Sequence, residues 1–249
     1  MPFDNLQYRA LRKIAPAAPQ MMAGSAYEGR SKIAISLGPE VLRSVQGKTV
    51  IDFGCGDGVA TLDLARNGAK QVIGLDILQN ALDKATSHAE DMGLGDRCKF
   101  STSTETKADI IISLDAFEHF GDPAAILEIM HGLLAPKGYV MASFGPTWYH
   151  PLGGHLFSVF PWSHLLFSES AQVRWRSDIR TDGATRFSEV EGGLNQMTIK
   201  HFERIVSASK FRVETLEAVP IRVMNPIHCR LTREFTTAIV RVKLVSALG

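Results

Sequence analysis

The stretch Thr49-Val50-Ile51-Asp52-Phe53-Gly54-Cys55-Gly56-Asp57-Gly58 decides how this chain folds. A short apolar run ends in an acid, and three glycines follow at alternate positions. Such a run reads as a buried parallel strand that feeds a tight turn before a helix. Glycines in the turn permit positive φ and let a ligand lie against the backbone. Val59 stands where the dinucleotide pattern G-x-G-x-x-G needs its third glycine, which weakens an NAD-binding reading.

Outward from this turn the chain alternates strands and helices. Strand 49–53 leads to helix 58–67, stopped by Asn67-Gly68; strand 71–76 leads to helix 79–92, stopped by Gly93. Leu78, Leu82 and Ala85 recur at helical spacing and should face the sheet. Residues 99–103 read as a weak third strand and 108–114 as a fully buried fourth. Helix 122–134 opens with Asp122 as cap and Pro123 in its first turn. A fifth strand, 139–144, follows Pro136-Lys137-Gly138. This order predicts a doubly wound α/β sheet with right-handed crossovers.

Gln71-Val72-Ile73-Gly74-Leu75-Asp76 repeats the strand-then-acid pattern. An acid at the end of the second strand can accept both hydroxyls of a ribose. The Gly turn followed by Asp76 resembles motif I and its partner acid in class I S-adenosylmethionine-dependent methyltransferases. The resemblance covers roughly 45–145 and 198–246. It implies a Rossmann-like sheet of seven mostly parallel strands, closed by an antiparallel pair at 211–219 and 235–245 after a helix at 198–209. It also implies S-adenosylmethionine as cofactor, held by Asp52, Gly54, Cys55, Gly56, Asp76, Ile77 and Leu114. The turn would take the amino-acid end of the cofactor, Asp76 the ribose, and Ile77 the adenine. Cys55 reads equally as a small buried side chain. A segment before the first strand often covers the cofactor in this family. Residues 1–45, with an amphipathic stretch at 33–45, would do so here, and Arg30 could pair with the cofactor carboxylate or stay solvated.

Composition narrows the partners. The 249 residues carry a formal net charge of +1 and are 45% hydrophobic, an ordinary globular balance without a basic excess for nucleic acid. Three scattered cysteines argue for a reducing compartment rather than a disulfide framework. The charged first twelve residues do not read as a secretory signal, and the apolar stretch 151–167, with two prolines and two glycines, does not read as a membrane span. The expectation is a cytoplasmic protein, a small-molecule substrate, and room for a homodimer.

The alternation fails between Gly145 and Met197. All three tryptophans, Trp148, Trp162 and Trp175, lie there, with His150, His155 and His164. An insertion after the fifth strand should lie over the carboxyl ends of the strands, where open α/β sheets bind ligands. Residues 146–197 are therefore expected to form a substrate-binding lid on a core of 46–145 and 198–249. Its aromatics would line a pocket, pack as the lid's own core, do both, or form a dimer interface. Arg174, Arg176, Arg180 and Arg186 could meet an acidic substrate, but Glu169, Asp178 and Asp182 offset them.

Asp115-Ala116-Phe117-Glu118-His119 follows the fourth strand directly. In a helical turn all three polar side chains would reach one point. The pattern resembles, more narrowly, the Glu-x-x-Glu-His of metal-dependent O-methyltransferases, with Asp115 in place of the first Glu. That likeness implies a divalent ion held by Asp115, Glu118, His119 and a downstream histidine, His155 before His150. A metal would acidify the substrate hydroxyl. Without one, His119 or His155 could act as general base, or His119 could merely anchor the lid. O-methylation of a small aromatic or apolar metabolite heads the readings; N- or C-methylation, or cofactor binding without transfer, stand beside it.

Overall fold

The computed structural model describes residues 2–16, 31–180, 182–190 and 192–247. Arg30 lies outside the described residues. A seven-stranded sheet runs in the order β3-β2-β1-β4-β5-β7-β6. Its strands are β1 Thr49–Phe53, β2 Gln71–Leu75, β3 Cys98–Ser101, β4 Ala108–Leu114, β5 Leu134–Phe144, β6 Phe211–Pro220 and β7 Thr237–Ser246. The first five pair in parallel; β7 runs antiparallel between β5 and β6.

The strand sequences explain this layering. Along β1, β2 and β4, Val50, Val72, Ile110 and Ile112 face one side, while Ile51, Ile73 and Ile111 face the other. Side chains alternate with a period of two, so a strand apolar at every position must be covered on both faces. On the first face pack α2 Lys32–Leu37, α3 Glu40–Ser44, α4 Val59–Arg66 and α5 Gln79–Asp91. On the second lie α6 Pro123–Leu133 and α9 Ile199–Ser207. The expected caps are in place: Asp122 accepts from the amides of Ala124 and Ala125, and Thr198 from that of His201. The amphipathic stretch 33–45 breaks into α2 and α3, because Gly38 takes φ 100° and Pro39 cannot continue a helix. The last strand begins at Thr237, since α10, Arg233–Thr236, takes up the residues before it.

Between β5 and α9 the segment expected to form a lid, called the lid below, folds around α7 Ser163–Leu166 and α8 Glu169–Ser177. It has its own core of Phe157, Ala171, Val173, Trp175, Phe187 and Leu194, joined by Leu11 of α1, Pro2–Ile14. Helix α1 packs along α8. Trp175 donates its indole N–H to the Ala15 carbonyl (2.7 Å), Ser168 its hydroxyl to Asp4 (2.8 Å), and Tyr8 its hydroxyl to Asp178 (3.0 Å). This described part of the amino-terminal segment thus clasps the lid. Among the described residues no helix is long and apolar enough to cross a membrane.

Candidate active site

The Gly turn leaves β1 with Gly54, Gly56 and Gly58 at φ 83°, 54° and 83°. A side chain at Gly58 would strike Ala85 at 2.8 Å, and the space above Gly56 is open to 4 Å. The turn thus lies tight against α5 below and leaves room for a ligand above. Asp76, at the end of β2, accepts from the amides of Gly56 (2.8 Å) and Leu78 (3.0 Å). A cleft of about 500 Å3 opens over these strand ends. Gly54, Asp76, Ile77, Asp115, Ala116 and His119 are in its wall, and Ile77 stands 89% exposed.

The remaining expected cofactor residues sit behind that wall. Asp52, Cys55 and Leu114 are buried, at 1%, 7% and 4% exposure. Asp52 accepts the Thr61 hydroxyl at 2.7 Å and so ties the end of β1 to α4. Burial pushes its carboxyl up to about 6, against the lowering pull of Thr61 and Lys32. Burial also raises the Cys55 thiol, with the charges of Asp52 and Asp76 adding to it. It is a neutral packing group, in keeping with the small-side-chain reading.

The Asp-x-x-Glu-His segment does not assemble the expected metal ligands. Asp115 leaves β4 in the left-handed region, φ 51°, and 117–119 form an isolated turn. No helix runs through the segment, so the three side chains do not share a face. Asp115 ion-pairs with Lys32 at 3.1 Å. Glu118 turns inward, 2% exposed, and accepts from the Gly145 amide at 3.1 Å. Burial, with the charge of Asp115, pushes Glu118 up to about 8, and a protonated carboxyl is a poor ligand. Among the described residues no group of three or more His, Cys, Asp or Glu is placed to hold a metal. Lys32 and Gly193, which shape this site, carry no motif that sequence reasoning could have used.

The two histidines do meet. The rings of His119 and His155 lie edge to face with centroids 5.4 Å apart. His119 Nδ1 donates to the Gly193 carbonyl at 2.8 Å, leaving Nε2 bare in the neutral ring. His155, also at positive φ (50°), is hydrogen-bonded to the Pro146 backbone, and its buried Nε2 has no partner. Burial, then the neighbouring His119, pushes His155 down to about 4. His150 instead closes a turn, its Nδ1 accepting from the Leu152 amide. A second cavity, about 150 Å3, lies under the lid with both His119 and His155 in its wall. Of the lid's aromatics only Phe157 reaches that wall; Trp148 and Trp175 pack inside the lid.

Residues 44–147 match a family model described as a methyltransferase domain. The ubiquinone biosynthesis O-methyltransferase of Psychrobacter cryohalolentis is 34% identical over 105 residues, 39% of this chain and 40% of that protein. That of Nitrosococcus oceani is 38% identical over 106 residues, 40% of this chain and 44% of that protein. The chain therefore spans less than half the length of these curated relatives. An S-adenosylmethionine-dependent methyltransferase from Mesorhizobium loti superposes with TM-score 0.56 at 18% identity, over 88% of this chain and 99% of that one. Magnesium protoporphyrin IX methyltransferase from Synechocystis, with bound S-adenosylmethionine, gives TM-score 0.56 at 16% identity, over 98% and 93%. Residues 44–147 thus match a methyltransferase domain, and the chain shares its fold with those S-adenosylmethionine-dependent methyltransferases.

Proposed function

We propose that this protein transfers a methyl group from S-adenosylmethionine to an oxygen of a small molecule seated under the lid. The observation that carries the reading is His119, which stands in the wall of both cavities and so at the place where two ligands would meet. The larger cleft fits the cofactor: open space over Gly56, the Asp76 carboxylate for ribose hydroxyls, and exposed Ile77 for an apolar ring. Bound there, S-adenosylmethionine supplies a methyl on a sulfonium, an electrophile awaiting an electron-rich atom.

The chain's own residues then have definite tasks. A hydroxyl must give up its proton as it attacks, so it needs a base, whereas an amine attacks with a lone pair it already has. Two imidazoles with bare Nε2 atoms at the acceptor cavity therefore favour oxygen. His119 takes the proton at Nε2, while its Nδ1–H stays on Gly193 and holds the ring in place. His155, pushed down to about 4, is too weak a base for that role; its ring packs edge to face on that of His119. Transfer otherwise depends on alignment, which the lid supplies by closing over the acceptor. The donor set does not fit a divalent ion: Asp115 is paired with Lys32 and Glu118 turns onto the Gly145 amide.

The test is turnover of radiolabelled S-adenosylmethionine with a panel of phenols and amines. His119→Ala should cut turnover by about 100-fold or more, the usual contribution of a general base. Cofactor affinity should stay within about twofold. Chelator should leave wild-type activity unchanged. Full turnover by the alanine variant would sink the assignment.

A further inference from the structure

The connection between β6 and β7 is built inside out. From Val223 it carries an apolar residue at every fourth position: Ile227, Leu231 and Phe235. The chain makes a 3-10 helix over Arg222–Ile227, none of whose side chains is buried, and ends in α10. Val223, Ile227 and Leu231 stand 83%, 61% and 91% exposed. The polar side chains are the ones that hold the loop. Thr232 donates its hydroxyl to the Ile227 carbonyl (2.6 Å) and accepts from the Cys229 amide (2.9 Å). His228 is hydrogen-bonded to the Thr236 hydroxyl at 2.7 Å. Glu234 accepts from the amides of Ile199 (3.1 Å) and Lys200 (2.8 Å) at the start of α9. A tied scaffold thus holds aliphatic side chains out in water, which marks a surface that something else covers.

Charge selects the cover. Between 221 and 236 the arginines Arg222, Arg230 and Arg233 stand against a single acid, Glu234. Glu203 neutralises Arg233 at 2.6 Å, and the α9 amides occupy Glu234. Arg222 and Arg230 are exposed next to Val223 and Leu231, and among the described residues neither has an ion-pair partner. Aliphatic side chains that project singly, with guanidiniums between them, match an anionic lipid surface: the chains enter the acyl boundary and the arginines stay among the phosphates. A protein-facing patch gathers its apolar groups into one packed core instead. The position is apt as well. Strand β7 runs antiparallel to β5 with Val240 beside Phe144, so the connection leaves the sheet at the end where the chain enters the lid. Phe235 packs on Tyr149 of the lid, ring centroids 5.2 Å apart.

We propose that residues 221–236 dock this protein on an anionic membrane surface, with Val223, Ile227 and Leu231 entering the lipid and Arg222 and Arg230 meeting its phosphates. Such docking is peripheral and needs no membrane-spanning helix. It requires neither cofactor nor methyl transfer, so it can be measured apart from both.

The experiment is co-sedimentation of the whole chain with vesicles of phosphatidylcholine containing about one-third phosphatidylglycerol, and with vesicles of phosphatidylcholine alone. The anionic vesicles should bind about tenfold or more tighter than the neutral ones. Raising the salt from about 0.1 to about 0.5 M should erase most of that preference, because the arginines are screened. Two double variants divide the contributions: Val223→Ser with Leu231→Ser, and Arg222→Gln with Arg230→Gln. All four positions are exposed, and thermal melting checks that each variant is folded. Each should bind anionic vesicles about tenfold or more weakly than the wild type. No binding to anionic vesicles, equal binding to neutral ones, or undiminished binding by either folded variant would overturn the proposal. A wild-type dimer that Leu231→Ser dissociates, without vesicle binding, would also overturn it and make the patch an interface between copies of this chain.

Discussion

The sheet and the lid are held together by different means. In the sheet, each strand pairs with its neighbour along a ladder, as β1 does with β2 from Thr49–Gln71 to Phe53–Leu75. Losing one contact there leaves many equivalent ones. In the lid, single side chains tie down backbone that has no ladder. His164 joins the Trp148 carbonyl at 2.7 Å, Gln172 donates to the carbonyls of His164 and Phe167, and Trp175 reaches Ala15. Gly153 and Gly154 let this chain pass close: a Cβ on Gly153 would collide with the Thr147 carbonyl. The two histidines come one from each region, His119 from the turn after β4 and His155 from the lid. The proposed chemistry therefore needs the regions docked, while the proposed cofactor cleft is walled mainly from the sheet side, with Gly192 of the lid also in its wall.

The strongest way to break that division is Trp175→Ala. Removing this 1%-exposed indole from the lid core should cost about 3–5 kcal/mol locally. Hydrogen exchange should quicken across 146–197 with β1 and β4 still protected, and turnover should collapse with cofactor affinity kept. If the central strands open together with the lid, the two regions are one cooperative unit and the comparison is wrong.

On the sheet side, Asp76→Ala removes a carboxylate that holds the Gly56 and Leu78 amides and faces the cleft. Loss of charged hydrogen bonds of this kind costs about 1.5–3 kcal/mol, so cofactor affinity should fall more than about tenfold. Calorimetry that finds the same affinity would remove Asp76 from the site.

The seam itself is probed at Asn195. Its side-chain amide donates to the carbonyls of Phe117 (2.6 Å) and Phe120 (2.8 Å), next to His119. Asn195→Ala should cost about 1–3 kcal/mol and lower turnover without touching cofactor affinity. A variant with wild-type kinetics would mean that the seam does not set the histidine geometry.

The smallest effect is one of pH. Glu118, pushed from its ordinary carboxyl value up to about 8, binds a proton in the folded protein that the unfolded chain has already lost. Its contribution is full at low pH and is lost as pH rises through about 8. Asp52 shifts only to about 6, and His150 and His155, pushed down to about 4, act between there and the ordinary histidine range. Between about pH 6.5 and 8 the slope therefore belongs to Glu118, and stability should fall by roughly 1–2 kcal/mol. Urea midpoints across that window should flatten in Glu118→Gln. An unchanged slope in the variant would place the buried proton elsewhere.

How much was legible follows from the same division. The strands and helices of the core lie within a few residues of where periodicity puts them, apart from the split at Gly38-Pro39 and an earlier start to β5. Gly54, Asp76 and Ile77 stand in the wall of the cleft. The spacing of Asp115, Glu118 and His119 would gather them only in a helical turn, and the segment does not form one. Asp115 bends away in the left-handed region, pairs with Lys32, and leaves Glu118 pointing at Gly145. The lid's tryptophans were legible as a cluster, but that Trp175 packs against α1 rather than a substrate follows from a contact with Ala15 that no local pattern links to residue 175.

By itself, then, the sequence determined the alternating core, the glycine turn after β1, and the acid at the end of β2. Each of these is a local property: a two- or 3.6-residue period, a glycine at positive φ, an acid at a strand end. The tertiary structure alone decided that His155 reaches His119, that Lys32 takes Asp115, and that Arg176 and Arg180 wall the second cavity. Those are meetings of residues tens of positions apart. They follow from how a non-repeating segment packs, and packing has no period to read.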